Sequence, residues 1–224
     1  MSSVVVFYYI FVGYIYHKMI YIIGDSFSED PQGKYKTNYI DRYIEYKGRD
    51  VKFYPNLLSE HFKQPTTNLS IGGTCNETIL VEFMKIYPLL KPNDLIVLGW
   101  TYLARFSTVT LNNKWSSSIH YGSLLSKQTL DEMTEMRTHN LFKKRLLDII
   151  DFIDVVIPKD VTIIHWTWSF GNPWISPYTI KSETNGEIDD IHYSELGHLD
   201  LFNKMIKELE TTNRVRINLS LLTL

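Results

Sequence analysis

The chain of 224 residues is long enough for one domain with a substantial core, and its composition excludes several classes of protein. Hydrophobic residues make up 44% of the sequence and charged residues 21%, as in globular rather than disordered proteins. The formal net charge of -2 lacks the basic excess of a nucleic-acid-binding surface, so we expect no nucleic-acid partner. The single cysteine, Cys75, excludes an internal disulfide and leaves the cellular location open.

An apolar run over residues 4–16 leaves three interpretations of the N-terminus open. It is shorter than the roughly 20 residues that a membrane span needs, and it lacks the basic region and cleavage site of a signal peptide. Residues 1–18 are either an extension outside the folded domain, which we favour, or a weak membrane anchor through residues 4–16, or an extra strand. The chain is therefore divided into an extension (1–18), one domain (19–209) and a C-terminal tail (210–224).

Short apolar runs alternate with helical patterns along the domain, which predicts an α/β fold with a parallel sheet. The predicted strands cover residues 19–24, 66–71, 94–99 and 161–166. The predicted helices cover residues 55–62, 76–90, 129–156 and 194–209. Long loops are predicted over residues 29–50, 106–127 and 167–188, the first with a short helical turn near residues 39–46.

A serine follows the first predicted strand, within residues 24–28, Gly-Asp-Ser-Phe-Ser. Residues 189–192, Asp-Asp-Ile-His, lie far downstream, before the last predicted helix. A serine hydroxyl becomes a useful nucleophile only beside a base, and that base needs an orienting carboxylate. Ser26, Gly73 and Thr101 all follow predicted strands, and ligands of open parallel sheets bind at the carboxyl ends of the strands. The pattern predicts a serine hydrolase.

These blocks resemble, in order, those of the SGNH (GDSL-type) hydrolase family over roughly residues 19–209. Residues 24–28 are similar to the family's first block, residues 68–74 (Asn-Leu-Ser-Ile-Gly-Gly-Thr) to its second, and residues 189–192 to its Asp-x-x-His block. The blocks are also similar to those of SGNH-type proteins encoded by phages and large viruses. The resemblance implies a three-layer α/β/α sandwich with a flavodoxin-like parallel sheet.

The resemblance also implies the roles of individual residues. Ser26 would be the nucleophile and His192 the base, with Asp189 as the orienting acid because its spacing to His192 matches the family's block. Asp190 is then expected to be exposed to solvent or to cap a helix. The backbone N–H groups of Ser26 and Gly73 would bind the oxyanion of the tetrahedral intermediate, with Gly72 as the alternative to Gly73.

The third block departs from the family pattern. The sequence reads Gly-Trp-Thr-Tyr over residues 99–102, where the family has Gly-x-Asn-Asp, so Thr101 stands in place of the oxyanion-binding asparagine. A threonine hydroxyl can still donate one hydrogen bond, although it is shorter than an amide. We therefore expect Thr101 to contribute to the oxyanion hole, with Arg105 as the alternative donor.

Three tryptophans near predicted strand ends, together with Arg105, are candidate substrate-binding residues: Trp100, Trp166 and Trp168. Indole faces suit sugar rings and acyl chains, although such rings can equally brace loops against the core. The histidines and the cysteine lack metal-ligand spacing, and the sequence has no glycine-rich phosphate loop, so we expect neither a metal nor a cofactor.

The sequence thus predicts a serine esterase that hydrolyses carboxylic esters through a Ser-His-Asp triad and an acyl-enzyme. The partner would be a small-molecule or carbohydrate ester, with O-acetylated carbohydrate as one hypothesis and small-acyl or lipid esters as others. The alternative is a catalytically weak or inactive SGNH scaffold that binds a glycan or a protein, which the replacement at Thr101 would favour.

Overall fold

The computed structural model describes residues 18–33, 36–101, 105–109, 115–120, 135–168 and 176–211, with the backbone alone over residues 105–109, 115–120 and 135–142. The strands are β1 (Ile20–Gly24), β2 (Thr66–Asn68), β3 (Leu95–Trp100), β4 (Arg105–Val109), β5 (Trp115–His120) and β6 (Thr162–Thr167). The helices are α1 (Asn38–Lys47), α2 (Tyr54–Phe62), α3 (Asn76–Ile86), α4 (Glu135–Val156), α5 (Ile180–Glu183) and α6 (Glu195–Thr211). The predicted extension (1–18) lies outside the described residues except for Lys18. Residues 212–224 of the predicted tail (210–224) also lie outside them.

Four strands form a parallel sheet in the order β2-β1-β3-β6. Its central strand β3, Leu-Ile-Val-Leu-Gly-Trp, is buried along its whole length, as expected for a parallel strand that is covered on both faces. Gly24 pairs with Gly99, and Gly99 pairs with Trp166, so β1, β3 and β6 end at nearly the same level. This register brings the segments that follow these strands to one edge of the sheet.

Helices pack on both faces of the sheet. On one face, α2 and α6 contribute Leu58, Leu201 and Met205 to a core shared with Ile22 and Val97. On the other face, α3 and α4 cover the alternate residues of β1, β3 and β6, with a core that includes these residues: Ile23, Ile79, Phe83, Ile96, Leu98, Ile150 and Ile153. The prediction of an α/β fold with a parallel sheet is confirmed, and the layers are consistent with a three-layer α/β/α sandwich.

All three predicted long loops contain regular structure, and the loop predicted over residues 167–188 includes the short helix α5. Residues 38–47 form a ten-residue helix rather than a short turn, and it buries Tyr39, Ile40 and Tyr43 against a satellite core that contains Phe53. Only one narrow face of this helix is buried, so most of its residues are polar and its sequence resembles that of a loop. The Ser- and Asn-rich stretch over residues 106–127 includes most of an antiparallel strand pair, β4 and β5.

His198 of α6 lies in the core, where it is fully buried and stacks on Phe53 with ring centroids 3.9 Å apart. Burial, followed by repulsion from His192, lowers the pKa of His198 from 6.5 to about 3. In the unfolded chain His198 is protonated below about pH 6.5, whereas in the folded chain it stays neutral down to about pH 3. Stability contributed by neutral His198 is therefore complete above pH 6.5 and is lost as the pH falls from there toward 3.

We expect His198→Leu to weaken this acid sensitivity. In the wild-type protein, the preference of His198 for the neutral form should lower the unfolding free energy by about 2–3 kcal/mol when the pH falls from 7.5 to 4.5. This value follows from about 1.36 kcal/mol for each pH unit below the ordinary pKa of 6.5. Urea unfolding at both pH values measures the effect, with His61→Leu as the control because His61 is exposed. An equal pH dependence in wild type and His198→Leu would contradict the expectation.

Among the described residues, no helix combines the length and the apolarity needed to cross a membrane.

Candidate functional site

The segment after β1 is a tight 3-10 turn, Ser26–Ser28, built by Asp25. The Asp25 carboxylate accepts a hydrogen bond from the backbone N–H of Phe27 at 3.1 Å, and its carbonyl accepts one from Ser28 at 2.9 Å. An aspartate at this position satisfies backbone donors that would otherwise lack partners. The turn holds Ser26, whose side chain is mostly buried, at the carboxyl edge of the sheet.

Two glycines make room for this turn. Gly24 and Gly99 face each other across β1 and β3, and a Cβ atom added to either one would collide with the Ser28 hydroxyl. At Gly99, the added atom would also come within 3.0 Å of the Trp166 indole nitrogen. At Gly24, the added atom would also lie 2.8 Å from the Ser28 Cβ atom, so a larger residue there forces the turn to shift.

We expect Gly99→Ala to destabilise the protein by about 1–3 kcal/mol, because the methyl group overpacks the space beside Ser28. Urea unfolding measures this loss, and a one-dimensional or amide-resolved NMR spectrum reports the shift of the turn. Gly48→Ala is the control: Gly48 has φ 62, so alanine is strained there by about 1 kcal/mol, but nothing lies within 4 Å. Wild-type stability in Gly99→Ala would contradict the expectation.

A hydrogen-bonded chain of three side chains crosses the site. The Ser26 Oγ lies 2.7 Å from Nε2 of His192, and Nδ1 of the same imidazole lies 2.6 Å from Oδ1 of Asp190. Burial raises the pKa of Asp190, but hydrogen bonds from the His192 ring and backbone, with the charge of Arg42, outweigh it and lower the pKa. An ionised Asp190 therefore faces the imidazole that contacts Ser26.

The acid in contact with His192 is thus Asp190, and the expectation that Asp189 would take this place is wrong. The Asp189 side chain is 81% exposed and pairs with Lys181 at 2.7 Å. Asp190 curls back onto the residue two positions later, accepting both the backbone N–H of His192 at 2.9 Å and its ring nitrogen. In this Asx turn the aspartate lies two positions before the histidine. The family's Asp-x-x-His block places it three positions before, and Asp189 was expected for that reason.

The short helix α5 fixes the backbone around His192. The N–H of Ile180 donates to the carbonyl of His192, and the N–H of Lys181 donates to the carbonyl of Asp190, both at 2.8 Å. The imidazole therefore rests on a backbone that is anchored on both sides of Ile191.

Aromatic rings surround the imidazole. The Tyr39 ring stacks on His192 with centroids 3.9 Å apart and planes at 8°, and its hydroxyl donates to the carbonyl of Ser26 at 2.6 Å. The Phe27 ring also contacts His192, at 4.4 Å, and stacks on Trp168 at 4.6 Å. Burial, with the charges of nearby carboxylates, raises the pKa of Tyr39 well above its ordinary value, so the phenol stays a neutral donor.

Neither Tyr39 nor Phe27 was identified as a site residue from the sequence. Phe27 adjoins Ser26 in the first block, which was a usable signal. Tyr39 carries no signal of its own, because only the folded chain brings α1 against His192.

Thr101 contacts the turn rather than an open cavity. It is fully buried, its hydroxyl donates to Oδ2 of Asp25 at 2.6 Å, and its backbone N–H donates to Asn76 at 2.9 Å. The single hydroxyl proton is therefore committed to Asp25, which also accepts from the Trp168 indole at 2.8 Å. The expectation that Thr101 binds an oxyanion does not fit this geometry: Thr101 supports the turn instead.

The predicted substrate-binding residues divide into three groups. Trp100 and Trp166 are fully buried in the two main cores, so the expectation that they contact a substrate is wrong. Trp168 is only partly buried and lies beside Phe27. Arg105 begins β4, and its side chain lies outside the described residues.

The second block lies beside the turn. The N–H of Ile71 donates to the carbonyl of Gly24 at 3.0 Å, which continues the pairing of β2 with β1 toward Gly73. Gly73 has φ 73, a left-handed conformation that favours glycine. The backbone at Gly73 therefore turns near the carboxyl edge of the sheet.

No group of three His, Cys, Asp or Glu residues within the described part of the chain is arranged to hold a metal ion. No protein-family model matches the chain, and a search of curated proteins finds no significant match.

Proposed function

We propose that this protein is a serine esterase of the SGNH type, with Ser26, His192 and Asp190 as its catalytic triad. The observation that carries the proposal is the hydrogen-bonded chain through these three side chains, whose first contact joins residues 166 positions apart. A serine, an imidazole and a partly buried carboxylate in this order are the parts that activate a hydroxyl toward acyl groups.

The geometry suggests the following mechanism. His192 takes the proton of the Ser26 hydroxyl as the oxygen attacks the ester carbonyl, and Asp190 stabilises the imidazolium that forms. The protonated imidazole then gives its proton to the leaving alcohol. In the second half, His192 takes a proton from water, which attacks the acyl-enzyme and releases the acid. The backbone N–H groups of Ser26 and Gly73 would bind the oxyanion in both halves.

The fold supports the assignment to the SGNH type. The strand order β2-β1-β3-β6 matches the first four strands of the flavodoxin-like order, and ligands of such sheets bind beyond the carboxyl ends of the strands. Ser26 follows β1 and Thr101 follows β3, at that edge. The proposed catalytic domain extends from β1 to the end of α6.

The substrate class is proposed as a small-acyl ester. Trp100 and Trp166 are buried, so the case for a sugar-stacking platform now depends on Trp168 alone among these residues. O-acetylated carbohydrate is included as a substrate, because an acetyl group is itself a small acyl group.

A second candidate is a weak or inactive scaffold that binds a glycan or a protein. The commitment of the Thr101 hydroxyl to Asp25 favours it, because the family's third oxyanion donor then has no replacement at this position. Loss of one such donor typically costs about 3–4 kcal/mol in the transition state. A slow enzyme is compatible with the proposal, and a complete lack of turnover is not.

Ester hydrolysis by purified protein tests the proposal. The panel contains p-nitrophenyl acetate, p-nitrophenyl octanoate and an acetylated xylose, with His192→Asn as the measure of background reaction. We expect turnover of the acetates well above that background, and slower turnover of the octanoate. Rates equal to those of His192→Asn for every ester would favour the binding scaffold.

A further inference from the structure

Glu29 is a buried acidic residue that directly follows the turn of Ser26. The residue is 3% exposed, although a buried carboxylate is costly unless hydrogen-bond donors surround it. Nothing in the sequence blocks assigns a role to this residue. Its position, one residue after Ser28, ties it to the segment that carries the proposed nucleophile.

Two hydrogen bonds join Glu29 to the start of α1. Its Oε2 accepts the backbone N–H of Thr37 at 3.1 Å and the Thr37 hydroxyl at 2.8 Å. Thr37 immediately precedes α1, and Tyr39 in the first turn of that helix stacks on His192. The carboxylate thereby fixes the helix that carries the ring packed on the imidazole.

The other side of the carboxylate faces the glycine block. Oε1 is so close to Gly72 that an added Cβ atom would lie 2.6 Å from it, and that atom would also collide with the Thr37 methyl group. Burial raises the pKa of Glu29, and hydrogen bonding from Thr37 and from the backbone of Gly72 opposes that rise. Gly72 precedes Gly73, the proposed oxyanion donor.

We propose that Glu29 is a positioning residue that clamps three segments of the site together: the Ser26 turn, the start of α1, and the block with Gly72 and Gly73. This inference rests on the proposed esterase function. The clamp sets the separation between the Ser26 and Gly73 N–H groups and the placement of the Tyr39 ring. Misplacement of reacting groups by about 1 Å can cost on the order of 100-fold in rate.

Kinetics of Glu29→Gln and Glu29→Ala test the clamp. We expect kcat for p-nitrophenyl acetate to fall about 10- to 100-fold, more for alanine than for glutamine, while KM changes little. Asp94→Asn is the matched control, because Asp94 is a buried carboxylate that accepts the backbone N–H of Lys91 at 2.8 Å and precedes β3, at the opposite edge of the sheet from Ser26. That variant should keep the wild-type kcat. Thr37→Val removes the hydroxyl that donates to Glu29 and keeps the shape of the side chain. It should lower kcat by part of the Glu29→Gln effect, and it tests the clamp even if Glu29→Ala does not fold.

Amide hydrogen exchange at Thr37 and Gly72 provides a readout that does not depend on activity. We expect exchange at both amides to accelerate in Glu29→Gln and to stay at the wild-type rate in Asp94→Asn. Folded Glu29 variants with wild-type kcat and unchanged exchange would overturn the clamp. Faster exchange in a protein whose wild type has no turnover would contradict the esterase function and leave the structural clamp standing.

Discussion

Ser26→Ala is expected to lower kcat/KM for p-nitrophenyl acetate by about 10⁴-fold or more, because it removes the atom that forms the acyl-enzyme. The remaining rate would reflect binding and the backbone donors alone. Initial rates at limiting substrate concentration measure the effect, after correction for spontaneous hydrolysis.

The fold should survive this substitution. Among the described residues, the Ser26 side chain makes one hydrogen bond, to His192, so its loss is expected to change the unfolding free energy by only about 1 kcal/mol. Urea unfolding of both proteins supplies this control. A folded Ser26→Ala protein with wild-type turnover would remove Ser26 from the mechanism.

Two adjacent aspartates provide a matched pair of variants. Asp190→Asn should reduce kcat by about 10⁴-fold, because an amide in place of the carboxylate can favour the wrong imidazole tautomer and cannot stabilise the imidazolium. Asp189→Asn should leave kcat within about twofold of wild type, because Asp189 is exposed and its pair with Lys181 contributes little.

Steady-state kinetics of the two variants, with circular dichroism as a check of folding, decide which acid acts. A large loss in Asp189→Asn with a small one in Asp190→Asn would contradict the assignment and restore the family spacing. Equal small losses would mean that His192 needs no orienting acid in this protein.

Features set by local pattern were predictable from the sequence. Strand β3 was expected because a continuous apolar run with β-branched residues suits a strand covered on both faces. Ser26 and His192 were expected to meet because each lies in a distinctive short block, and in the structure their side chains are in contact.

Features set by side-chain direction were not predictable. Asp189 and Asp190 are identical in type, and only the Asx turn decides which one reaches the imidazole. Trp100 and Trp166 were placed correctly at strand ends, but their position along a strand did not reveal that their rings face the core. Glu29 and Thr37 depend on a contact between a loop and a helix start, which carries no sequence signature.

The central claim is that the Ser26 hydroxyl is activated by His192, and a fluorophosphonate probe tests it most directly. We expect one covalent adduct, which peptide mass spectrometry locates on Ser26, and a strongly reduced labelling rate in Asp190→Asn. An intact folded protein that forms no adduct, or one that is labelled only at another residue, would contradict the account.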